Sequence, residues 1–181
     1  YQKGIDSSSS YACNYAGMGK LCLNSTPVEA DAYFKDAVKK SKKDASAIVA
    51  IAKTYYNQTP RNFDEAKRYI NLAIGVDPKN ASAYFLSGLI ELDKNNPSDA
   101  SLQFDRAIYF DPNYLEAYLF QSDIMGRARS LTQAIEYSNK AIAVNSNFWP
   151  AYKKLGELYY DNQKYAEAVG SFATYFKNVT T

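Results

Sequence analysis

The chain has 181 residues, 46% hydrophobic and 22% charged, with a formal net charge of +2. That length suits one domain of the usual ~100–200 residues, and the balanced charge excludes nucleic acid as a bulk electrostatic partner. No apolar run approaches the ~20 residues that span a bilayer, and the absence of histidine removes the commonest general base and zinc ligand.

Residues 1–11, YQKGIDSSSSY, read as the second half of a unit entered in mid-helix, with Tyr1 and Gly4 where later units carry Phe and Ala. Residues 12–44 carry Tyr15-x-x-Met18-Gly19, then Ala30, Phe34 and Ala37. Residues 45–80 carry Ile51-Ala52-x-x-Tyr55, then Ala66, Ile70 and Ala73, with a longer loop, NQTPRN. Residues 81–114 carry Tyr84-x-x-Ser87-Gly88, then Ala100, Phe104 and Ala107. Residues 115–148 carry Tyr118, then Ala134, Ser138 and Ala141. Residues 149–181 carry Tyr152-x-x-Leu155-Gly156-x-x-Tyr159, then Ala168 and Phe172. The small residues, Gly19, Ala52, Gly88 and Gly156 among them, fit where two helices cross closely, and the large ones fill the space between.

Asp111-Pro112-Asn113 interrupts an apolar stretch. Proline inside a helix costs ~3 kcal/mol, so this is a corner between two helices. The corner recurs at equal spacing on either side, as Asp77-Pro78-Lys79-Asn80 before it and Asn145-Ser146-Asn147-Phe148 after it. Within each unit a second helix starts at Thr26, Asn62, Asn96 and Ser130, all good N-caps. Thr26 with Glu29, and Ser130 with Gln133, fit a capping box. Pro27 and Pro97 take the first helical position, where proline is tolerated.

The period of about 34 residues and the pattern resemble the tetratricopeptide repeat (TPR) family, W-x2-L-G-x2-Y followed by A-x3-F and then A and P. The resemblance covers nearly the whole chain in five units. It implies an all-α fold, a right-handed superhelical solenoid of helix-turn-helix repeats forming a single domain over 1–181. It also implies a non-catalytic scaffold that binds a protein or peptide and assembles complexes. The alternative is a structural repeat spacer within a larger cell-envelope protein, without a discrete peptide site. The Tyr- and Asn-rich repeats are similar to TPR proteins exported into Gram-negative envelopes, which inclines the expected location toward the periplasm.

Other signals are weaker. Gly17-Met18-Gly19-Lys20 lacks the first glycine and the Ser/Thr of a phosphate loop. Lys39-Lys40-Ser41-Lys42-Lys43 closes a helix, where cations complement the dipole. Cys13 and Cys22 are expected to remain separate thiols, because nine residues of helix put them on opposite sides. No catalytic constellation, cofactor or metal site is expected. The Asn-x-Ser/Thr triplets at Asn24, Asn57, Asn80 and Asn178 are chance matches in an Asn- and Ser-rich chain.

The helix Ala81–Asp93 stands out. Beside the repeat positions Tyr84, Ser87, Gly88 and Glu91 it carries a second stripe, Phe85, Leu89 and Leu92, rotated ~100° from the first. In TPR-like folds that offset faces the concave groove. Val49, Lys53 and Tyr56 precede it at matching positions, and Leu119 and Asp123 follow. Two readings stand: groove floor for a partner, or core between repeats. The family's carboxylate clamp is not matched, since its positions hold Ala16, Lys20, Ala50 or Val49, Phe85 and Leu89. The last helix places Tyr165, Ala168, Val169, Phe172 and Phe176 on one face, and Tyr175 replaces a small residue. The chain is therefore expected to be a piece of a longer solenoid, or to self-associate end to end through its terminal repeats.

Overall fold

The computed structural model describes residues 12–41 and 45–179. The half-unit expected at 1–11, and Lys42 and Lys43 of the basic run, lie outside the described residues. The described residues contain ten helices: α1 (Ala12–Cys22), α2 (Pro27–Lys40), α3 (Ser46–Tyr56), α4 (Phe63–Val76), α5 (Ala81–Asp93), α6 (Pro97–Phe110), α7 (Leu115–Arg127), α8 (Leu131–Val144), α9 (Trp149–Asp161) and α10 (Tyr165–Val179). There is no strand among them. The chain forms two compact units, Tyr1–Ile90 and Glu91–Thr181, and the boundary falls inside α5.

In the first unit α1 packs on α2 and α3 on α4, and α3 also meets α1 and α2. The core holds Ala16, Phe34, Ile48, Ile51, Tyr69, Ile70, Leu86 and Ile90. Helix α4 shows why these segments are helices. Its buried residues Ala66, Tyr69, Ile70 and Ala73 recur at helical spacing, and Asp64 and Glu65 fill its first turn, where the dipole favours acids. In the second unit α6 packs on α7, α7 on α8, α8 on α9 and α9 on α10.

Two glycines are required by close approach. A Cβ on Gly19 would lie 2.3 Å from the Phe34 ring, and one on Gly156 would lie 2.6 Å from the Phe172 ring. In each pair the ring of the second helix occupies the room that a side chain on the first would need. The unit at 115–148 solves the same crossing differently. Ser122 and Ser138 replace Gly and Phe, both fully buried, with their hydroxyls 2.8 Å apart. Next to them Gln121, also fully buried, donates through Nε2 to the Ser101 carbonyl at 2.9 Å and accepts from Ser101 Oγ at 2.8 Å. It also donates to Asp105 Oδ1.

The joints between helix pairs share one geometry at corresponding positions of successive units. Asp77 Oδ1 accepts from the Lys79 N–H at 3.0 Å, Asp111 Oδ1 from Asn113 at 3.0 Å, and Asn145 Oδ1 from Asn147 at 2.9 Å. The repeat tyrosine then ties the corner. Tyr84 Oη donates to the Pro78 carbonyl at 3.0 Å, Tyr118 to Pro112 at 3.1 Å and Tyr152 to Ser146 at 3.2 Å. The third joint has no proline, so the Asp/Asn side chain and the tyrosine set the corner and proline only suits it.

The turns inside the pairs also recur. Asn95, Arg129 and Gln163 have φ of 61°, 60° and 58°. In each turn the next residue's N–H reaches back to a helix carbonyl, from Asn96 to Glu91, Ser130 to Met125 and Lys164 to Tyr159. These are Schellman closures with a non-glycine in the left-handed position.

The expected N-caps need correction. Only Asn62 caps by its side chain, accepting from the Glu65 N–H at 3.1 Å. Thr26, Asn96 and Ser130 make no such bond. Thr26 Oγ1 instead donates to the Glu29 carboxylate, and Asn96 Nδ2 to Glu91, at 3.1 Å each. An ionised acceptor within reach makes the stronger bond and draws the cap side chain away from the backbone.

Candidate protein-binding surface

Val49, Lys53 and Tyr56 stand at i, i+4 and i+7 on α3, so the helix puts them on one side. Val49 and Tyr56 are half-buried and flank the first core, while Lys53 is exposed. The Tyr56 ring is fixed by Phe63 at 6.4 Å between centroids, and the Arg61 guanidinium lies 4.7 Å over its face. Helices α1 and α3 meet at their N-terminal ends, where Cys13 Sγ lies 3.6 Å from Ser46 Oγ. Both cysteines are free thiols, Cys13 exposed and Cys22 half-buried.

Phe85 and Leu89 are half-buried, and Leu89 packs at the edge of the same core as Val49 and Tyr56. The stripe on α5 is thus neither wholly core nor wholly open. In the same core Tyr55 sits between Phe34 and Tyr69, with ring centroids 5.6 Å from each. Burial, then the neighbouring Tyr69 and Glu65, pushes the Tyr55 phenol up to about 12.

In the second unit Leu92 is half-buried, and Leu119 packs on the cluster of Tyr118, Ala141 and Ala151. Asp123 is not a lone charge. Lys154 Nζ lies 3.0 Å from its Oδ1 and Arg127 Nε 2.8 Å from its Oδ2, while Lys154 also reaches Glu157 at 3.0 Å. Burial by itself lowers the Lys154 pKa, but hydrogen bonds to Asp123 and Glu157 outweigh it and hold the ammonium above its usual value. These groups line a cavity of about 330 Å³ with Ser122, Gly126, Arg129, Leu158 and Asp161. Lys154, Arg127 and Glu157 were not singled out from sequence. Arg127 follows Asp123 by one helical turn, a readable signal. Lys154 stands in the next unit, slightly short of a full repeat period from Asp123, and that match shows only when two helices are laid side by side.

Among the described residues no helix is long and apolar enough to cross a membrane, and no three Cys, Asp or Glu side chains are grouped to hold a metal ion. On α10 the predicted apolar face is partly uncovered: Tyr165, Val169 and Phe176 are 57%, 67% and 57% exposed, whereas Ala168 is buried and the half-buried Phe172 ring packs over Gly156.

Helix pairs with Gly-against-Phe crossings, and joints repeated from unit to unit, define an all-α helical-repeat protein of tetratricopeptide type. Residues 9–169 match the family model for the tetratricopeptide repeat protein 21 N-terminal ARM repeat, and the chain belongs to that family. Over 104 residues it is 30% identical to the probable UDP-N-acetylglucosamine–peptide N-acetylglucosaminyltransferase SPINDLY of Hordeum vulgare, a match that covers 54% of this chain and only 11% of that protein's length. Among solved structures, MamA matches with a TM-score of 0.69 at 20% identity, over 94% of this chain and 93% of that one. PilF of Pseudomonas aeruginosa matches with a TM-score of 0.74 at 20% identity, over 94% and 78%. YrrB, described as a TPR protein with an unusual peptide-binding site, matches with a TM-score of 0.65 at 17% identity, over 99% and 92%. At these identities the likeness is one of fold.

Proposed function

We propose that this protein is a non-catalytic scaffold that binds a protein or peptide through the inner helices of its repeats. The observation that carries this is that Val49, Tyr56, Phe85 and Leu89 are half-buried apolar side chains of the first unit, with the exposed Lys53 between Val49 and Tyr56 on α3. Apolar side chains left partly open beside a charged group suit a partner's side chains better than they suit water. The peptide-binding site in the description of YrrB belongs to that protein, and it supports the reading only by showing that this fold can carry one. SPINDLY's transferase activity stays with a protein of which this chain spans 11%. The test is capture of partners from the native organism by the intact chain, compared with Phe85→Ser and Lys53→Glu variants. Partners lost by both variants, with unchanged far-ultraviolet circular dichroism, support the reading. Equal capture by all three chains places the contact elsewhere.

A second reading, a repeat module stacked within a larger assembly, is favoured by the partly uncovered face of α10. Sedimentation equilibrium of the intact chain and of Val169→Asp/Phe176→Asp tests it. Concentration-dependent association that the double variant abolishes supports it, and a monomer at all concentrations counts against self-association.

A further inference from the structure

The charges of the first unit are sorted by helix. Among its described residues every carboxylate lies on α2 (Glu29, Asp31, Asp36), on α4 (Asp64, Glu65) or at the joint after α4 (Asp77). Two of these already have cations beside them on their own helices, Lys35 at 2.6 Å from Asp31 and Arg68 at 2.7 Å from Glu65. Helices α1 and α3, and α5 up to Ile90, carry no acid at all; their only charges are Lys20 and Lys53. Both lysines are exposed, and among the described residues neither has an ion-pair partner.

The two lysines share one face. Each stands seven residues beyond the contact between Cys13 and Ser46, where α1 and α3 meet. Seven residues are almost two helical turns, so Lys20 and Lys53 project on the side of that contact, on neighbouring helices whose axes pack ~8–10 Å apart. Val49 and Tyr56 lie one turn either side of Lys53, half-buried. Among the described residues α1 and α3 join apolar side chains to two cations and no acid, and the acids of α5, Glu91 and Asp93, come only after Ile90; such a surface favours a negatively charged complement.

We propose that this face takes a polypeptide segment that combines apolar side chains with carboxylates and carries a net negative charge. The proposal rests on the binding reading above and names its partner class. Two lysines on an apolar floor suit a peptide better than a nucleic acid, which is gripped by a denser row of cations along its phosphates.

Selection of a random peptide display library on the full chain, followed by fluorescence anisotropy of the enriched peptides, tests it. The expected peptides are acidic and apolar. Their affinity should fall about tenfold or more in Lys20→Glu/Lys53→Glu, and should weaken as salt rises from about 50 to about 500 mM. A copy of the best peptide with Lys in place of its acids should prefer the charge-reversed variant. Both lysines are exposed, so this variant should fold, and circular dichroism checks that. If neutral or basic peptides are enriched, or acidic ones bind indifferently to the two lysines yet are lost in Phe85→Ser, the charge assignment is overturned and the binding reading stands. If no peptide is enriched while a single-stranded RNA oligonucleotide binds, both are overturned.

Discussion

Ser122 and Ser138 face each other across α7 and α8 with their hydroxyl oxygens 2.8 Å apart and no exposure to solvent. Ser122 Oγ also donates to the Ala134 carbonyl at 2.8 Å. A hydroxyl has one proton, so Ser138 must be the donor to Ser122. In the repeats at 12–44 and 149–181 this crossing is a glycine under a phenylalanine ring. The pair is therefore a joint replacement, with each half suited to the other.

This predicts strong coupling. Ser138→Phe alone should destabilise the protein by ~1–3 kcal/mol, because the ring would meet the Ser122 side chain in a full core. Adding Ser122→Gly should recover much of the loss. Urea denaturation of both singles and the double should give a coupling of ~0.5–3 kcal/mol. Additive effects would show that the two sites pack independently.

The left-handed turn residues offer a gain. Gln163 and Arg129 hold φ of 58° and 60° with a side chain attached. Glycine has no Cβ penalty there. Gln163→Gly should raise stability by ~0.5–1 kcal/mol after the greater freedom of the unfolded glycine is subtracted. Thermal unfolding is the measurement, and a lower midpoint would mean that the Gln163 side chain contributes more than its backbone costs.

The joint tyrosine should matter for its hydroxyl. Tyr118 is buried, and its Oη donates to the Pro112 carbonyl at 3.1 Å. Tyr118→Phe keeps the ring and removes that bond, which should cost ~0.5–1.5 kcal/mol. Hydrogen exchange should show the amides of the Asp111–Tyr114 corner opening sooner, with α10 unaffected.

Tyr55 should make the protein alkali-sensitive. Its folded pKa of about 12 lies above the ordinary value of 10.0 because burial disfavours the phenolate. Between those values the folded state keeps a proton that the unfolded state has lost. Its contribution is therefore intact below pH ~10 and is lost as pH rises through the folded pKa. Denaturant midpoints followed from pH ~9 upward should fall above pH ~10. Tyr55→Phe should flatten part of that fall, leaving the part that belongs to Tyr69, Tyr118 and Tyr137, whose phenols are also pushed up by burial.

What the sequence determined by itself is the helical-repeat architecture. Helical spacing of apolar residues, a proline corner and a glycine paired with a distant ring are local signals repeated along the chain, and repetition makes weak signals strong. Gly19, Gly156 and the Asp77, Asp111 and Asn145 corners could all be read this way. The tertiary structure decided what depends on the offset between neighbouring helices. Period reading gives the face of a residue but not the height at which a neighbour meets it. So the partnership of Asp123 with Lys154, the buried bonds of Gln121 and the half-exposed state of Phe85 and Leu89 were beyond it. The caps failed for the same reason. Asn62 and Asn96 are alike in sequence, yet one accepts from its own helix and the other donates to Glu91, because a nearby carboxylate competes for a side chain that propensity treats as free.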